Sequence, residues 1–569
     1  MSRKKKRQPI ALISVADKKG IVQFARALIK LGFMILASGG TAKKLREAGL
    51  PVTDTAEFIG NAYATLFQRI AKKKKHIVPR RVLNAIRKEI GGAILDHRVV
   101  TLDQRIHGGL LALNTPEHLA DLKKICAEWI DIACVDFYPL QKEIDRPGAT
   151  RQSVIEMIDI GGPTMLDATA KGGRIPICTR EDRKRVIKAL RSKRGVTEQL
   201  RNELIEKAFF TVSQYYMAAA RYLSGGEYEA LFGVRVGTNK YGENPYQVPA
   251  YRYSGLTGDP LALDKFIQVM GAEPGHVNWT DFSRLLQTIT HIAATFDQNS
   301  RKYDCYAVGN KHGNACGAAY GNNPVTVMRK MIRGNPRAIW GGMISTNFPI
   351  GAAEARVIRE YMTKKKKRII DGIIAPAISE EAIQILKRPR GACKMLINPA
   401  LATPTLDTAR VFTQIRGGFL TQPNFTYIFR FDYPTVECFG RLSRTQKDDV
   451  LLAAAVCQTS NSNTTTLALR GMIIGNGTTR PDRLDATEVA IKAARDQKHK
   501  TRKAVAVTDS FFPFDDGPRA LIAAGISIIL TVSGSVADEI VKNTILSAGV
   551  TLIWLPVGDG RMFFGHTGN

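Results

Sequence analysis

Residues 10–48 read IALISVADKKGIVQFARALIKLGFMILASGGTAKKLREA, and the rhythm of this stretch decides the fold. Residues 11–15 form a short apolar run of strand type, after which Ile21, Phe24, Ala25 and Leu28 recur at helical spacing. Met34–Ala37 is a second apolar run, followed by Ser38-Gly39-Gly40-Thr41 and a helical stretch over 42–48. Strand, glycine turn and helix in repetition describe a parallel sheet covered by helices, so the class is α/β. Further strands are expected at 132–136 and 174–179. One long helical pattern covers Glu198–Leu223, with Gly225-Gly226 as its C-cap.

The chain has 569 residues, too many for one hydrophobic core, and two to four domains are expected. Texture changes near residue 235 to mixed α/β with many Gly and Asn turns. The expected division is 9–195, a helical linker over 196–232, and 233–569. An insertion near 60–95 carries the lysine run 72–75, Pro79 and Arg80-Arg81. Lys plus Arg number 82 against 51 Asp plus Glu, a net charge of +31. The basic clusters at 3–7, 72–75 and 364–368 lie far apart without interleaved aromatics, and no zinc-finger, basic-zipper or RNP-type pattern accompanies them. A solvated basic surface is the plainer account, and nucleic acid is not expected as the main partner. The eight cysteines form no CxxC pair, which suits a reducing cytoplasm and argues against a structural metal site. The apolar stretch after the basic N-terminus is interrupted at Asp17, unlike a signal peptide, and no run of 18 apolar residues predicts a membrane span.

Three groups of residues can carry chemistry. Ser38-Gly39-Gly40-Thr41, between strand and helix, offers backbone N–H groups and two hydroxyls in the manner of a phosphate cradle; such turns also occur with no ligand. Ser14 and Lys18 would emerge at the same sheet edge, where open α/β sheets bind ligands. Tyr138 follows the strand at 132–136, and Asp159 begins Asp159-Ile160-Gly161-Gly162-Pro163-Thr164, ahead of Lys171. A phenol, a carboxylate and an ammonium suit proton transfer and oxyanion stabilisation, although the spacing alone is better explained by ordinary loop polarity. Lys311-His312-Gly313-Asn314-Ala315-Cys316-Gly317 follows an apolar run at 306–308. Histidine can move a proton near neutral pH and lysine can meet an oxyanion, provided a turn brings both to one side. As a bare dipeptide the pair is a common surface feature. Cys316 is assigned a packing role.

In order and content these motifs resemble one family, the bifunctional purine-biosynthesis enzymes AICAR transformylase/IMP cyclohydrolase. The resemblance spans roughly residues 9–566 and adds Ile106-His107-Gly108-Gly109, Lys240-Tyr241-Gly242-Glu243-Asn244-Pro245, Asp371-Gly372-Ile373-Ile374-Ala375-Pro376 and Asp509-Ser510-Phe511-Phe512-Pro513-Phe514. It implies a methylglyoxal-synthase-like N-terminal domain. A C-terminal transformylase of two cytidine-deaminase-like α/β subdomains, without their zinc, would follow. The substrates would be AICAR (aminoimidazole carboxamide ribotide) and 10-formyltetrahydrofolate, the formyl donor, in a cytoplasmic homodimer. Lys311 and His312 match the family's catalytic pair, and Asn463 its contact to the formyl group. Asp371, Phe511 and Trp340 match the folate side. Lys240, Tyr241, Arg561 and His566 match the substrate side. In the N-terminal domain Tyr138, Asp159 and Lys171 match catalytic positions, while Ser14, Lys18, Ser38, Gly39, Gly40, Thr41, Arg98 and Thr101 match substrate positions.

Departures from the pattern bear on activity. Lys240 replaces an arginine and loses its bidentate fork. The glycine-rich stretch reads Gly475-Asn476-Gly477-Thr478-Thr479-Arg480, with Arg483 retained. Arg98-Val99-Val100-Thr101-Leu102-Asp103-Gln104 lacks the family's lysine at Val100 and its histidine at Asp103, and Asp136 replaces an asparagine. Losing one oxyanion donor typically costs about 10²–10³ in rate. The expected function is formyl transfer followed by ring closure to IMP. A transformylase with a weak cyclohydrolase domain, and a non-catalytic nucleotide- or RNA-binding protein, are the competing possibilities.

Overall fold

The computed structural model describes residues 7–90, 99–364 and 366–564. The chain divides into two compact units, 1–232 and 233–569.

The first unit is built on five strands: β1 (Ile10–Ser14), β2 (Met34–Ala37), β3 (Thr53–Asp54), β4 (Ile132–Val135) and β5 (Ile175–Ile177). Their order is β3-β2-β1-β4-β5, and every neighbouring pair is parallel. Successive side chains along a strand point to opposite faces. Ala11, Ile13, Ile35 and Cys134 therefore pack with Ile21, Leu28 and Val186 of the helices Ile21–Lys30 and Arg180–Arg191. Ile10, Leu12, Leu36 and Ala133 pack instead with Ile106, Met165 and Ala208. Both faces are covered, which is why these strands read as unbroken apolar runs. The chain leaves β1 towards β2 and returns on its other side at β4, so a crevice opens beyond the strand ends where the order reverses.

The helix Glu198–Leu223, in the stretch expected as a linker, buries Leu204, Ala208, Val212 and Ala219 and belongs to the first unit. The insertion is a helical hairpin of Thr55–Lys73 and Arg80–Ile90. Gly60 lets the two helices meet, since a Cβ there would stand 2.4 Å from the carbonyl oxygen of Arg87. Residues 91–95 lie outside the described residues.

The second unit opens with an antiparallel hairpin, β6 (Val234–Asn239) and β7 (Ala250–Ser254). The main sheet then contains β8 (Ile267–Met270), β9 (Cys305–Lys311), β10 (Asn314–Gly321), β11 (Met343–Thr346), β12 (Gly372–Ala375) and β13 (Lys394–Ile397). A second small hairpin, β14 (Val411–Ile415) with β15 (Gly418–Gln422), separates these from β16 (Glu437–Phe439), β17 (Thr465–Leu469), β18 (Met472–Gly477), β19 (Val505–Thr508), β20 (Ile528–Val532) and β21 (Thr551–Leu555). The order is β16-β21-β20-β19-β17-β18-β10-β9-β11-β12-β13-β8.

That order is one half-sheet written twice. In each half a hairpin (β9–β10 or β17–β18) leads into three parallel strands and ends on an antiparallel edge strand, and β10 meets β18 at the seam. Helices His276–Gln298 and Arg444–Cys457 lie together in one core with Val308, Ile374, Val507 and Leu530. The alternate side chains enter two separate clusters, Ala307, Ile344 and Ile373 in one, Leu467, Ala506 and Ile529 in the other. The expected pair of α/β subdomains is thus a duplicated three-layer arrangement.

Candidate functional site

A cavity of about 760 Å³ occupies the crevice of the first unit. Ser14, Lys18, Ser38, Gly39, Gly40, Thr41, Thr101, Tyr138 and Asp159 all line it. They arrive from the carboxyl ends of β1, β2 and β4, from the turn before the helix Gln104–Leu111, which brings Thr101, and from the loop before the helix Gly161–Lys171. Ser38 occupies the N-cap position of the helix Gly39–Glu47, but its hydroxyl lies 2.7 Å from that of Ser14 and does not cap the helix. The first N–H groups of a helix have no intrahelical partner, and here they open on the cavity beside Lys18. The Lys18 ammonium donates to Thr41 Oγ1 at 3.1 Å and to the carbonyl of Val15, and burial draws its pKa down. A second helix, Gly161–Lys171, starts on the same cavity, so two helix N-termini and one ammonium converge on it.

Asp159 is held tightly. Its Oδ1 accepts the N–H of Gly162 at 2.8 Å, and its own N–H donates to the Tyr215 hydroxyl at 2.8 Å. Burial pushes its carboxyl above the ordinary value, against the pull of the backbone N–H groups of Gly162, Tyr138 and Gly161. A carboxyl poised in this way beside an exposed phenol, Tyr138, is a candidate proton carrier. The glycines are required: a Cβ at Gly161 would stand 2.5 Å from Thr101 Oγ1, and one at Gly162 2.5 Å from Asp159 Oδ2.

The departures acquire physical content. Val100 lines the cavity where a lysine was expected. Asp136 does not leave a bare charge there, because Oδ1 accepts the N–H groups of Ala16 and Asp17 and Oδ2 pairs with Arg183 at 3.1 Å. Burial nevertheless raises its pKa. Asp103 is the N-cap of the helix Gln104–Leu111, accepting the N–H of Arg105 at 2.8 Å. Lys171 is exposed at the last position of the helix whose first turn lines the cavity. Ten residues of helix put it about 15 Å further along the axis. It is not among the residues that line the cavity with Tyr138 and Asp159. Arg98 lies outside the described residues.

In the second unit Lys311 ends β9 and pairs across to Asn314, which leaves His312-Gly313 as a two-residue turn. Both have positive φ, 54° and 75°, the geometry of a type I′ hairpin. This is how two neighbours on a strand escape opposite faces. Lys311 Nζ donates to the carbonyl of Trp340 at 3.1 Å. The turn is gripped from below by the helix His276–Gln298: Asp281 Oδ1 accepts the N–H of Gly313 at 2.8 Å, and Arg284 Nε donates to its carbonyl at 3.3 Å. Arg284 also donates to Asn461 Oδ1, and the N–H of Asn461 donates to Asn314 Oδ1 at 3.0 Å.

Two residues on, Asn463 accepts from Arg483 Nη2 at 2.9 Å and donates to the carbonyls of Arg480 and Pro481. Arg483 is paired in turn with buried Asp509, which also accepts from Ser462. Asn476 Nδ2 donates to the carbonyl of Ala315 at 2.9 Å, fastening β18 to β10. The hairpin and the Asn463 loop, 150 residues apart in sequence, are therefore joined by a continuous hydrogen-bonded chain.

Asp371 pairs with Arg388, and Phe511 packs against the core that contains Val532 and Leu555. Lys240 and Tyr241 lie on the loop between β6 and β7, and Arg561 is exposed with its guanidinium 5.0 Å from the Phe563 ring. Among the described residues none of these three makes a hydrogen bond to the His312 turn. His566 lies outside the described residues. Sequence reasoning missed Tyr215, Asp281, Arg284 and Asn461, and gave Asp509 no role beyond its place in the motif 509–514. Asp281 and Arg284 left only the signal of an acid and a base three apart on one mixed helix.

The profile of the AICARFT/IMPCHase bienzyme family matches residues 174–493, and that of the MGS-like domain matches residues 20–164. The chain is similar to the bifunctional purine biosynthesis protein PurH of Trichormus variabilis, 31% identical over 535 residues that cover 93% of this chain and 95% of the relative. PurH of Anoxybacillus flavithermus is 32% identical over 545 residues with the same coverage. PurH of Synechocystis sp. is 30% identical over 567 residues, covering 96% and 98%.

Proposed function

The chain belongs to the AICARFT/IMPCHase bienzyme family, and from that premise we propose that it formylates AICAR and closes the product to IMP in purine biosynthesis, with one step assigned to each unit. The observation that carries the assignment is the type I′ turn holding Lys311 and His312 together, linked by hydrogen bonds to the loop bearing Asn463.

10-Formyltetrahydrofolate supplies the formyl group as a co-substrate, and half-exposed Asp371 with Phe511 is where its folate side is assigned. The 5-amino group of AICAR is a weak nucleophile and becomes acidic only as it bonds to the formyl carbon. His312, projecting from the tip of the turn, takes that proton. Lys311 meets the charge growing on the formyl oxygen, which requires its ammonium to leave the carbonyl of Trp340. Asn463, fixed by Arg483, orients the formyl group. Lys240, Tyr241 and Arg561 are assigned to the anionic substrate as part of a homodimeric arrangement.

In the first unit the nucleotide phosphate suits the two helix N-termini and Lys18. Ring closure joins the carboxamide nitrogen to the formyl carbon and expels one water. Asp159 and Tyr138 are assigned the proton transfers and Thr101 a hydrogen bond to the substrate. With Val100 in the wall, the developing oxyanion has one donor fewer.

The test is a two-product assay. Protein supplied with AICAR and 10-formyltetrahydrofolate should release tetrahydrofolate and form IMP; folded protein that turns over no folate would overturn the proposal. The competing role as an RNA-binding protein would show itself as salt-sensitive RNA binding without turnover. No helix among the described residues is long and apolar enough to cross a membrane.

A further inference from the structure

We propose that Arg284 is a positioning residue for formyl transfer, holding the Lys311–His312 turn and the Asn463 loop at one fixed separation; this rests on the transformylase assignment above.

Its guanidinium sends donors to two segments that the Asn314 side chain also bridges, donating to the His312 carbonyl at 3.3 Å and accepting the N–H of Asn461. Nε donates to the carbonyl of Gly313, in the turn, and Nη2 donates to Asn461, two residues before Asn463. The Phe564 ring lies 4.1 Å from its carbon, closing the remaining side. Burial draws its pKa down to about 10, and it stays charged at neutral pH. Asn461 is itself fixed, donating to Asn314 Oδ1 and accepting Thr479 N–H at 2.8 Å through its carbonyl. Arg284 touches neither Lys311 nor His312 by side chain, so its effect passes through the backbone of Gly313. A planar fork can serve two acceptors in different directions, whereas a lysine ammonium at the end of a flexible stem cannot hold both at the same spacing. Asp281 grips the same turn but reaches only Gly313, and so fixes the turn without relating it to the other loop.

A separation that slips by about 1 Å between proton acceptor and formyl contact can cost on the order of 10²-fold in rate. The change falls on kcat, because neither Arg284 nor Asn461 is assigned a contact to substrate. The experiment compares R284K, N461A and the double variant in the full-length enzyme, following tetrahydrofolate release and, separately, cyclisation of supplied formyl-AICAR. Expected are a kcat for transfer lowered by about 10²-fold in each single variant and KM values within about threefold. The double variant should be no worse than the poorer single, since the two residues act as one link. Cyclisation should continue at the wild-type rate in all three. Transfer kcat within about threefold of wild type in either single variant, or losses that multiply in the double, would overturn the inference. Failure of the underlying assignment is distinguished by H312A: if that variant keeps its folate turnover, the site itself is misplaced. If it loses turnover while R284K does not, only the role of Arg284 falls.

Discussion

His291 stacks on Phe425 with ring centroids 5.7 Å apart, is 2% exposed, and places Nδ1 2.8 Å from the carbonyl of Gln287. Burial pulls its pKa from 6.5 to about 4. The unfolded chain takes up a proton near 6.5 that the folded chain refuses until about 4. This group therefore weakens the fold as pH falls through that window, by an amount on the order of 3 kcal/mol at its lower end. Urea unfolding of His291→Gln should lose stability less steeply than wild type over that window; parallel curves would show that another group titrates. Val100 yields a second prediction at this scale. Val100→Lys restores a cation to the cavity wall and should raise cyclisation of formyl-AICAR, on the order of 10- to 100-fold. An unchanged or lower rate would mean that another group already meets the oxyanion. Val100 was legible in the sequence because it interrupts a recognisable motif. Tyr215, which holds the backbone of Asp159, was not: it lies 56 residues away, on a helix whose pattern reads as packing. The pairing of Asp136 was equally hidden, since its partner Arg183 comes from a distant helix.

Among the elements, the helix Gly161–Lys171 carries the clearest consequence. Its first turn touches both Thr101 and Asp159 so closely that no Cβ fits at Gly161 or Gly162. Gly162→Ala should push the Asp159 carboxylate and the Phe137 ring aside and slow cyclisation at least about tenfold, while formyl transfer in the other unit continues. Cyclisation at the wild-type rate would mean that Asp159 needs no fixed position. The same helix shows the limit of periodicity. The sequence gives Asp159 and Lys171 only as neighbours in one stretch, and spacing alone does not reveal that a helix begins at Gly161 and places Lys171 at its far end. The β9–β10 turn shows the converse. Adjacent Lys and His on a strand demanded a turn, and His312-Gly313 supplies it with two positive φ values. What fastens the turn, Asp281 and Arg284, depends on a helix beginning 36 residues earlier and on tertiary packing that local pattern does not encode.

For the molecule as a whole, the strand–glycine–helix rhythm was enough to read a parallel sheet in the first unit, because both faces are covered and the strands are continuously apolar. The duplicated half-sheets of the second unit were not readable from repeats, since they share strand order and not residues. The family resemblance supplied that expectation, and the two separate clusters beneath one shared helical layer give it a physical form. The proposal assigns the two chemistries to separate units, so that each serves as the control for the other. The decisive measurement is folate turnover by Lys311→Ala and His312→Ala in the full-length chain, with cyclisation of supplied formyl-AICAR measured on the same preparations. Each variant should lose formyl transfer by about 10²-fold or more and keep wild-type cyclisation. Near-normal release of tetrahydrofolate by either variant would contradict the assignment of this pair to the chemistry.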